Sequence, residues 1–405
     1  MNKKSLFTSL FIAFAIGLYF FLYHRNKTLK FVPDQADIIV LIDVKKSARQ
    51  SLWSLATEPS NWLKTSKSKS TISSFRKSGL KIPDFLQVFH LRNTQITAWY
   101  TVLEIDDNKK LFGYLEKHQF IKNEEKIYQK DDLFIHISGD KCLIGNSKEG
   151  FQNLQNWLLK DHLQKYFHAD QFINNTVASI SFLDAGKIQN FEINYQHNQI
   201  EIKNSATSSS LTSLVQKLEQ NAPFLEAELD LKNISNLTQF YHKGFVDSAH
   251  ISGIRAKANL EKVNDTIITY TYDDDYNEIE KRSVQKIVQP NYAIVAKSPQ
   301  PEKTWEYLQN KKWINAKNQF TIIPFQPNLI SKDQNKLLLQ STRNPIEINK
   351  TQNKNYLFIK NSNLLSSFFS IFNANEKKIL SKIDYIFYAN HEQVYFVRIK
   401  FKPTE

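Results

Sequence analysis

Short apolar runs that lead into Asp, Asn or Ser, each followed by apolar residues at helical spacing, recur along the chain. The segment 36–55 reads ADIIVLIDVKKSARQSLWSL, and 99–117 reads WYTVLEIDDNKKLFGYLEK. Comparable segments lie at 141–159, 223–241, 291–308 and 355–372. An Asp, Asn or Ser side chain after a strand can accept a hydrogen bond from the free amides of a first helical turn. The pattern therefore predicts repeated strand–helix units.

Strand pairs separated by short polar turns lie between these units. Alternating apolar residues predict a meander over 127–145 and hairpins over 191–203, 251–272 and 384–401. In the hairpin over 251–272, Ile251–Glu261 would pair with Thr266–Tyr272 across Asn264 and Asp265. Hairpins require antiparallel pairing, so we expect antiparallel or mixed sheets with helices packed on one face. The predicted fold class is α+β.

The length of 405 residues leaves room for two domains of ordinary size. A Ser-rich run, Ser205–Ser213, divides the chain into halves that each hold about three strand–helix units. We therefore expect a first domain over 31–210 and a second over 211–405, preceded by a separate segment over 1–30. The pattern leaves open whether the two halves are duplicates.

The segment 1–30 contains an uncharged apolar run, Leu6 to Tyr23, flanked by basic residues on both sides. Eighteen residues in a helix extend about 27 Å, close to the hydrocarbon thickness of a bilayer. This predicts a transmembrane helix that contacts the lipid bilayer through 6–23. Two alternatives are a signal peptide cleaved after Ala15, which would leave 16–23 on the mature chain, and a buried core helix.

Basic residues on the two sides of this run are nearly balanced, so the positive-inside rule gives only a weak orientation. We expect the usual signal-anchor arrangement, a single-pass protein of the inner (cytoplasmic) membrane with a periplasmic, extracytoplasmic body.

The net charge of +13 is concentrated in two places. Five basic residues flank the apolar run, and six more lie between Pro59 and Pro83, where no acidic residue occurs. The remaining chain is close to neutral, whereas nucleic-acid-binding proteins usually carry their charge on a folded face. We therefore expect no nucleic-acid partner.

The six basic residues near Pro83 are candidates for contact with an anionic surface such as lipid head groups. The simpler interpretation of this Ser- and Lys-rich stretch is a solvated loop. The candidate residues are Lys64, Lys67, Lys69, Arg76, Lys77 and Lys81.

Sequence signatures of enzymes and cofactor sites are missing. The nine Gly residues form neither a Gly-x-Gly-x-x-Gly fingerprint nor a phosphate loop, and no Gly-x-Ser-x-Gly elbow occurs. The sequence therefore predicts no catalytic residue and no cofactor, although a site assembled only in space would leave no local pattern.

Two segments contain His or acidic residues of the kind that bind metal ions. His162 and His168 are six residues apart, which places them on different faces of a helix. The run Asp273-Asp274-Asp275 resembles the start of a calcium loop, but the required Gly and Glu positions are Glu278 and Val284. We predict a charged turn there and no metal site. The single cysteine, Cys142, lies among apolar neighbours and is predicted to be a buried, inert thiol.

The opening of the body resembles a group of uncharacterised bacterial membrane-anchored envelope proteins. The similarity is carried by Pro33 to Asp37 leading into the strand that ends at Asp43, and by the strand–Gly–Ser–helix element from Leu143 to Phe151. It covers the first half of the chain best. That group has no established activity, so the resemblance implies an extracytoplasmic body and no functional residues.

Taken together, the sequence favours a membrane-tethered extracytoplasmic protein, a non-enzymatic interaction or envelope-support module. Its expected partners are anionic lipid or another envelope protein. The first alternative is an anchored extracytoplasmic hydrolase whose site is assembled in space. The second is a cytoplasmic body that binds nucleic acid or an acidic partner.

Overall fold

The computed structural model describes most of the chain after residue 22. The described ranges are 23–57, 78–123, 127–159, 167–184, 186–196, 198–204, 209–221, 223–238, 249–322, 328–342, 344–348, 355–361, 377, 380–391 and 394–403. The chain forms two compact units, Met1–Tyr195 and Gln196–Glu405. Each unit has its own apolar clusters, and none of the five clusters contains residues of both. The predicted boundary near residue 210 stays a prediction.

The first unit is built on one antiparallel sheet. Its strands are β1 (Thr28–Leu29), β2 (Ala36–Asp43), β3 (Phe85–Leu91), β4 (Tyr100–Glu104), β5 (Ile121–Lys122), β6 (Ile127–Lys130), β7 (Leu133–Ser138), β8 (Lys141–Gly145), β9 (Phe167–His168), β10 (Ala178–Asp184) and β11 (Lys187–Gln196). The sheet order is β11–β10–β2–β3–β4–β8–β7–β6–β5, and β1 pairs with β9 separately. The helices are α1 (Val44–Thr57), α2 (Asn108–Lys117) and α3 (Phe151–Leu158).

The second unit is also one antiparallel sheet with helices. Its strands are β12 (Gln199–Lys203), β13 (Leu225–Asp230), β14 (Gly253–Tyr272), β15 (Glu278–Lys297), β16 (Gln319–Phe320), β17 (Asn328–Asp333), β18 (Lys336–Ser341), β19 (Asn355–Lys360), β20 (Ile383–His391) and β21 (Val394–Phe401). The order is β12–β21–β20–β19–β13–β14–β15–β18–β17–β16. The helices are α4 (Ser209–Asn221), α5 (Leu231–Thr238) and α6 (Pro301–Asn310).

The two units share one topology. Eight strands of the first unit, β2, β3, β4, β6, β7, β8, β10 and β11, correspond in chain order to β13, β14, β15, β16, β17, β18, β19 and β20 of the second. Every sheet pairing among the first eight recurs among the second eight. Helices follow the same strands, α1 and α5 after the first strand of each set, α2 and α6 after the third. The two units therefore repeat one topology.

The predicted fold class, α+β with an N-terminal transmembrane helix, is wrong. In the part of the chain that the structure describes, strand residues outnumber helical residues by more than two to one, so antiparallel sheet dominates. The helices of the strand–helix units are short and lie beside sheets of nine and ten strands, so helical spacing overstates the helical share of the fold. No helix in the described residues is both long and apolar enough to cross a membrane. Most of the predicted span 6–23 lies in 1–22, outside the described residues.

The predicted strand-end hydrogen bonds are confirmed at three aspartates. The carboxylates of Asp43, Asp107 and Asp230 accept from backbone amides three residues ahead, at 2.8 to 3.0 Å. Each closes the first turn of the helix that follows its strand. The predicted helix within 355–372 lies outside the described residues.

The predicted hairpin across Asn264 and Asp265 is also wrong. Both residues lie inside β14 and pair with Lys286 and Gln285 of β15. The chain therefore runs straight for twenty residues before it turns. An Asn-Asp pair lacks the Gly that favours the positive φ of a tight hairpin turn. Pairing with β15 is therefore more favourable than a turn at this point.

Candidate interaction surface

Most of the predicted anionic-surface residues lie outside the described residues. Lys64, Lys67, Lys69, Arg76 and Lys77 lie in 58–77, outside the described residues. Lys81 is described, and its Nζ lies 2.6 Å from a carboxylate oxygen of Glu104. Lys30 binds the other oxygen of Glu104 at 3.1 Å. The charge of Lys81 is therefore partly neutralised by Glu104. Contact of this stretch with lipid stays a prediction.

A shallow pocket of about 170 Å³ lies beside this ion pair. The pocket is bordered by Lys30, Lys81, Glu104 and Asp84, and Asp84 is itself paired with Lys45 at 2.9 Å. Since each of these carboxylates is paired with a lysine, the arrangement suits structural ion pairing better than acid–base chemistry.

We expect Lys81→Ala to raise the pKa of Glu104 towards its ordinary value. The hydrogen bond from Lys81 is the largest factor that lowers this pKa, followed by the bond from Lys30. A lowered pKa in the folded state contributes stability above the ordinary carboxyl range, and this contribution is lost as pH falls through the lowered pKa. NMR titration of the Glu104 side chain measures the change. Lys110→Ala, which removes the partner of Asp107, is the matched control; an equal response to both would refute this assignment.

An Asp–His–Thr series lies at the end of β3. The Nδ1 atom of His90 is 2.6 Å from Asp37, and its Nε2 atom is 3.2 Å from the hydroxyl of Thr94. A catalytic triad needs the hydroxyl proton directed at the imidazole. Here the Thr94 hydroxyl donates to the Leu91 carbonyl at 2.8 Å, and Nε2 also contacts the Gln95 carbonyl at 2.9 Å. The series ties the β3–β4 loop to the sheet and does not favour hydrolysis.

The remaining candidate groups, a cysteine and two histidines, show no arrangement for catalysis or metal binding in the described residues. Cys142 is fully buried, and burial raises the pKa of its thiol to about 12, so it is protonated at neutral pH. His168 is exposed and lies 3.4 Å from Asp170, whereas His162 is outside the described residues. Among the described residues, no group of three or more His, Cys, Asp or Glu side chains could hold a metal ion.

The most unusual surface belongs to the hairpin of β14 and β15. The two strands pair over twenty residues each, yet β13 pairs with β14 only over 253–258 and β18 with β15 only over 293–297. Residues 259–291 therefore extend past both neighbouring strands as a two-stranded ribbon, named here the arm. Its fourteen residue pairs correspond to about 45 Å.

The arm is attached to its sheet by buried polar contacts. The side-chain amide of Asn291 donates to Glu261 at 2.7 Å and to the Asn344 carbonyl at 2.8 Å. Ser341 donates to Asn291 at 2.5 Å, and the hydroxyl of Tyr292 donates to Asn328. Because Asn291 and Tyr292 are nearly inaccessible to solvent, these bonds fix the direction in which the arm leaves the sheet.

A charged turn closes the arm. The carboxylate of Asp273 accepts from the amides of Asp275 and Asn277 at 3.0 and 2.8 Å. Tyr276 has a φ of 61° and is 87% exposed. The sequence prediction of a charged turn is confirmed, and the turn's own bonds hold the pKa of Asp273 below its usual range.

One face of the arm is open along its whole length. Paired residues with even numbers lie on one side of the ribbon, because side chains alternate and Tyr270 pairs with Glu280. We call this the even face; its outward residues are Lys262, Asn264, Thr266, Ile268, Tyr270, Tyr272, Glu278, Glu280, Arg282, Val284, Lys286 and Val288. All of them are exposed. On the other face, Glu261, Val263 and Asp265 near the sheet are half-buried and Gln289 is buried, whereas the outer part of that face is exposed and carries one large apolar side chain, Ile279.

The even face carries large apolar side chains in water. Tyr270, Tyr272 and Val284 are 59%, 64% and 68% exposed, and Ile268 and Val288 are 45% and 44% exposed. An isolated two-stranded ribbon is at best marginally stable in water. Clustered exposed apolar groups of this kind mark a protein–protein contact more often than a free surface.

The sequence contained a signal for this surface that was not recognised. Thr266, Ile268, Tyr270 and Tyr272 alternate with polar residues, as in any strand that buries one face. Alternation shows that a face is apolar, but it does not show whether the chain itself covers it.

Comparisons with protein-family models, with curated proteins and with solved structures found no match to this chain.

Proposed function

We propose that this chain is a non-enzymatic interaction protein and that the arm is the element that contacts its partner. The observation that carries the proposal is the open even face, where aromatic and aliphatic side chains lie exposed on a ribbon beyond the sheet. Partner contacts would remove this apolar area from water, at about 25 cal/mol per Å². An extracytoplasmic, envelope-associated role is part of the proposal and rests on the resemblance of the first half.

The comparison of the two units supports the proposal. In the first unit, the hairpin equivalent to β14–β15 is β3–β4, which is closed by the short loop 92–99. The same topology is therefore complete without an arm. Since the extension is not required by the fold, a contact function explains it better than a structural one.

Photo-crosslinking in cells tests this function. A photoreactive p-benzoylphenylalanine is placed at position Tyr270 of the full chain, and a matched variant carries it at Tyr195. Tyr195 is 51% exposed and lies on β11, which is not part of the arm. We expect discrete cross-linked species from Tyr270 and only background from Tyr195. Equal background at both positions would overturn the proposal.

A further inference from the structure

We propose that the arm binds the arm of a second copy of this chain, face to face and antiparallel, through the even face. This inference rests on the proposed function and adds the identity of the partner. It follows from the order of charges along the even face, which is complementary to itself when one arm is reversed.

The charges on the even face are segregated along the arm. Glu278 and Glu280 lie in the outer half, next to the turn, and are accompanied there by Tyr270 and Tyr272. Lys262 and Lys286 lie in the inner half, next to the sheet. Arg282 lies in the outer half beside the centre and is ion-paired with Glu280 of its own strand, so the two glutamates leave the outer half with a net negative charge. Each half therefore attracts the opposite half of an identical arm, because side chains in contact are closer than the distance over which salt screens their charges.

The same charges decide the orientation. If two arms packed in parallel about a twofold axis, Glu278 and Glu280 would lie level with their own copies, diagonally across the interface, and the acidic turn residues would meet as well. Like charges placed together disfavour an interface. An antiparallel arrangement related by a twofold axis places each acidic half on a basic half, as an isologous dimer contact requires.

The register follows from avoiding repulsion at the centre. With the axis between the Ile268–Arg282 pair and the Thr266–Val284 pair, Glu280 opposes Lys286 of the second copy. In the same register Tyr272 opposes Lys262, whose stem and ammonium suit an aromatic face. Moving the axis one way places Arg282 against itself, and moving it the other way places Arg282 against Lys286.

The register predicts distances between identical positions. Two packed sheets lie about 10 Å apart and a strand rises about 3.4 Å per residue. Position 266 of one arm is then about 12 Å from position 266 of the other, whereas the two 272 positions are about 35 Å apart. In a parallel dimer both pairs would be about 10 Å apart.

Thiol cross-linking of the full chain in cells separates these arrangements. The native Cys142 is buried and does not compete for the reagent. With a short bismaleimide, Thr266→Cys should give a species of twice 47.3 kDa. Tyr272→Cys should not, and neither should Ser283→Cys on the opposite face. Cross-linking from Tyr272→Cys as strong as from Thr266→Cys would overturn the antiparallel arrangement.

A charge exchange tests the register on the Thr266→Cys background. Glu280→Lys alone places two cations together, so we expect the cross-linked fraction to fall by about tenfold. Adding Lys286→Glu restores the opposite charges and should restore the cross-link. Loss that the second change does not rescue would overturn the register.

The mass of the photo-crosslinked species from position Tyr270 distinguishes this inference from the proposed function. A species of twice the chain mass supports the second copy. A discrete species of any other mass would overturn the second copy while leaving the proposed function intact. No specific species would overturn both.

Discussion

Removal of the arm is expected to abolish partner contact while leaving the fold of the second unit in place. The variant replaces 262–288 by Asn-Gly, a pair suited to a two-residue hairpin turn between Glu261 and Gln289, which pair directly. The bond from Asn291 to Glu261 is then retained. None of the five apolar clusters contains a residue of 262–288. We therefore expect the free energy of unfolding to change by less than about 1 kcal/mol.

Two measurements on this variant check the expectation. Thermal unfolding followed by circular dichroism reports whether the second unit keeps its fold. Co-purification of two differently tagged full chains is the appropriate contact assay, with Ser283→Ala as the matched control on the opposite face. A chain that unfolds when it loses 262–288 would assign the arm to the structure of the unit and contradict its role as a contact element.

Local features of the fold were predictable because they depend on neighbouring residues. The carboxylates of Asp43, Asp107 and Asp230 act within one helical turn, so their positions after apolar runs were sufficient. The meander of β6, β7 and β8 was predictable for the same reason, since its turns carry polar residues between short apolar runs.

The dominance of sheet and the length of β14 were not predictable in this way. Both depend on pairing between distant segments, as where β13 pairs with β19 across more than a hundred residues. Asn264 and Asp265 look like turn residues, yet pairing with Lys286 and Gln285 keeps them extended. Local preference is a weak guide where long-range pairing decides the conformation.

The candidate surface was missed for a related reason. The sequence drew attention to lysines in 64–81, because composition reveals charge but does not reveal exposure. Tyr270 and Tyr272 are conspicuous only once β14 is known to extend beyond its neighbours. The shared topology likewise lies in the strand order, since the two halves have no obvious repeat in their residues.

A buried phenylalanine in each unit is expected to report on that unit alone. Phe89 and Phe387 are both fully buried, and they belong to separate apolar clusters of the first and second unit. Truncation of such a side chain removes its packing contacts and leaves a cavity. Phe89→Ala and Phe387→Ala should therefore each lower the free energy of unfolding by about 3–5 kcal/mol. Hydrogen exchange followed by mass spectrometry should show faster exchange only in the unit that carries the change.

Phe182→Ala is the matched control for the first unit, because Phe182 is 43% exposed. Loss of the Phe182 side chain should change the free energy of unfolding by no more than about 0.5 kcal/mol. Faster exchange throughout both units in either buried variant would contradict separate cores. Confinement to one unit is the behaviour expected if a complete ancestral sheet was duplicated, since each copy then inherited a core sufficient for its own folding. It would also explain how one copy could lengthen its hairpin into an arm without loss of the other's stability.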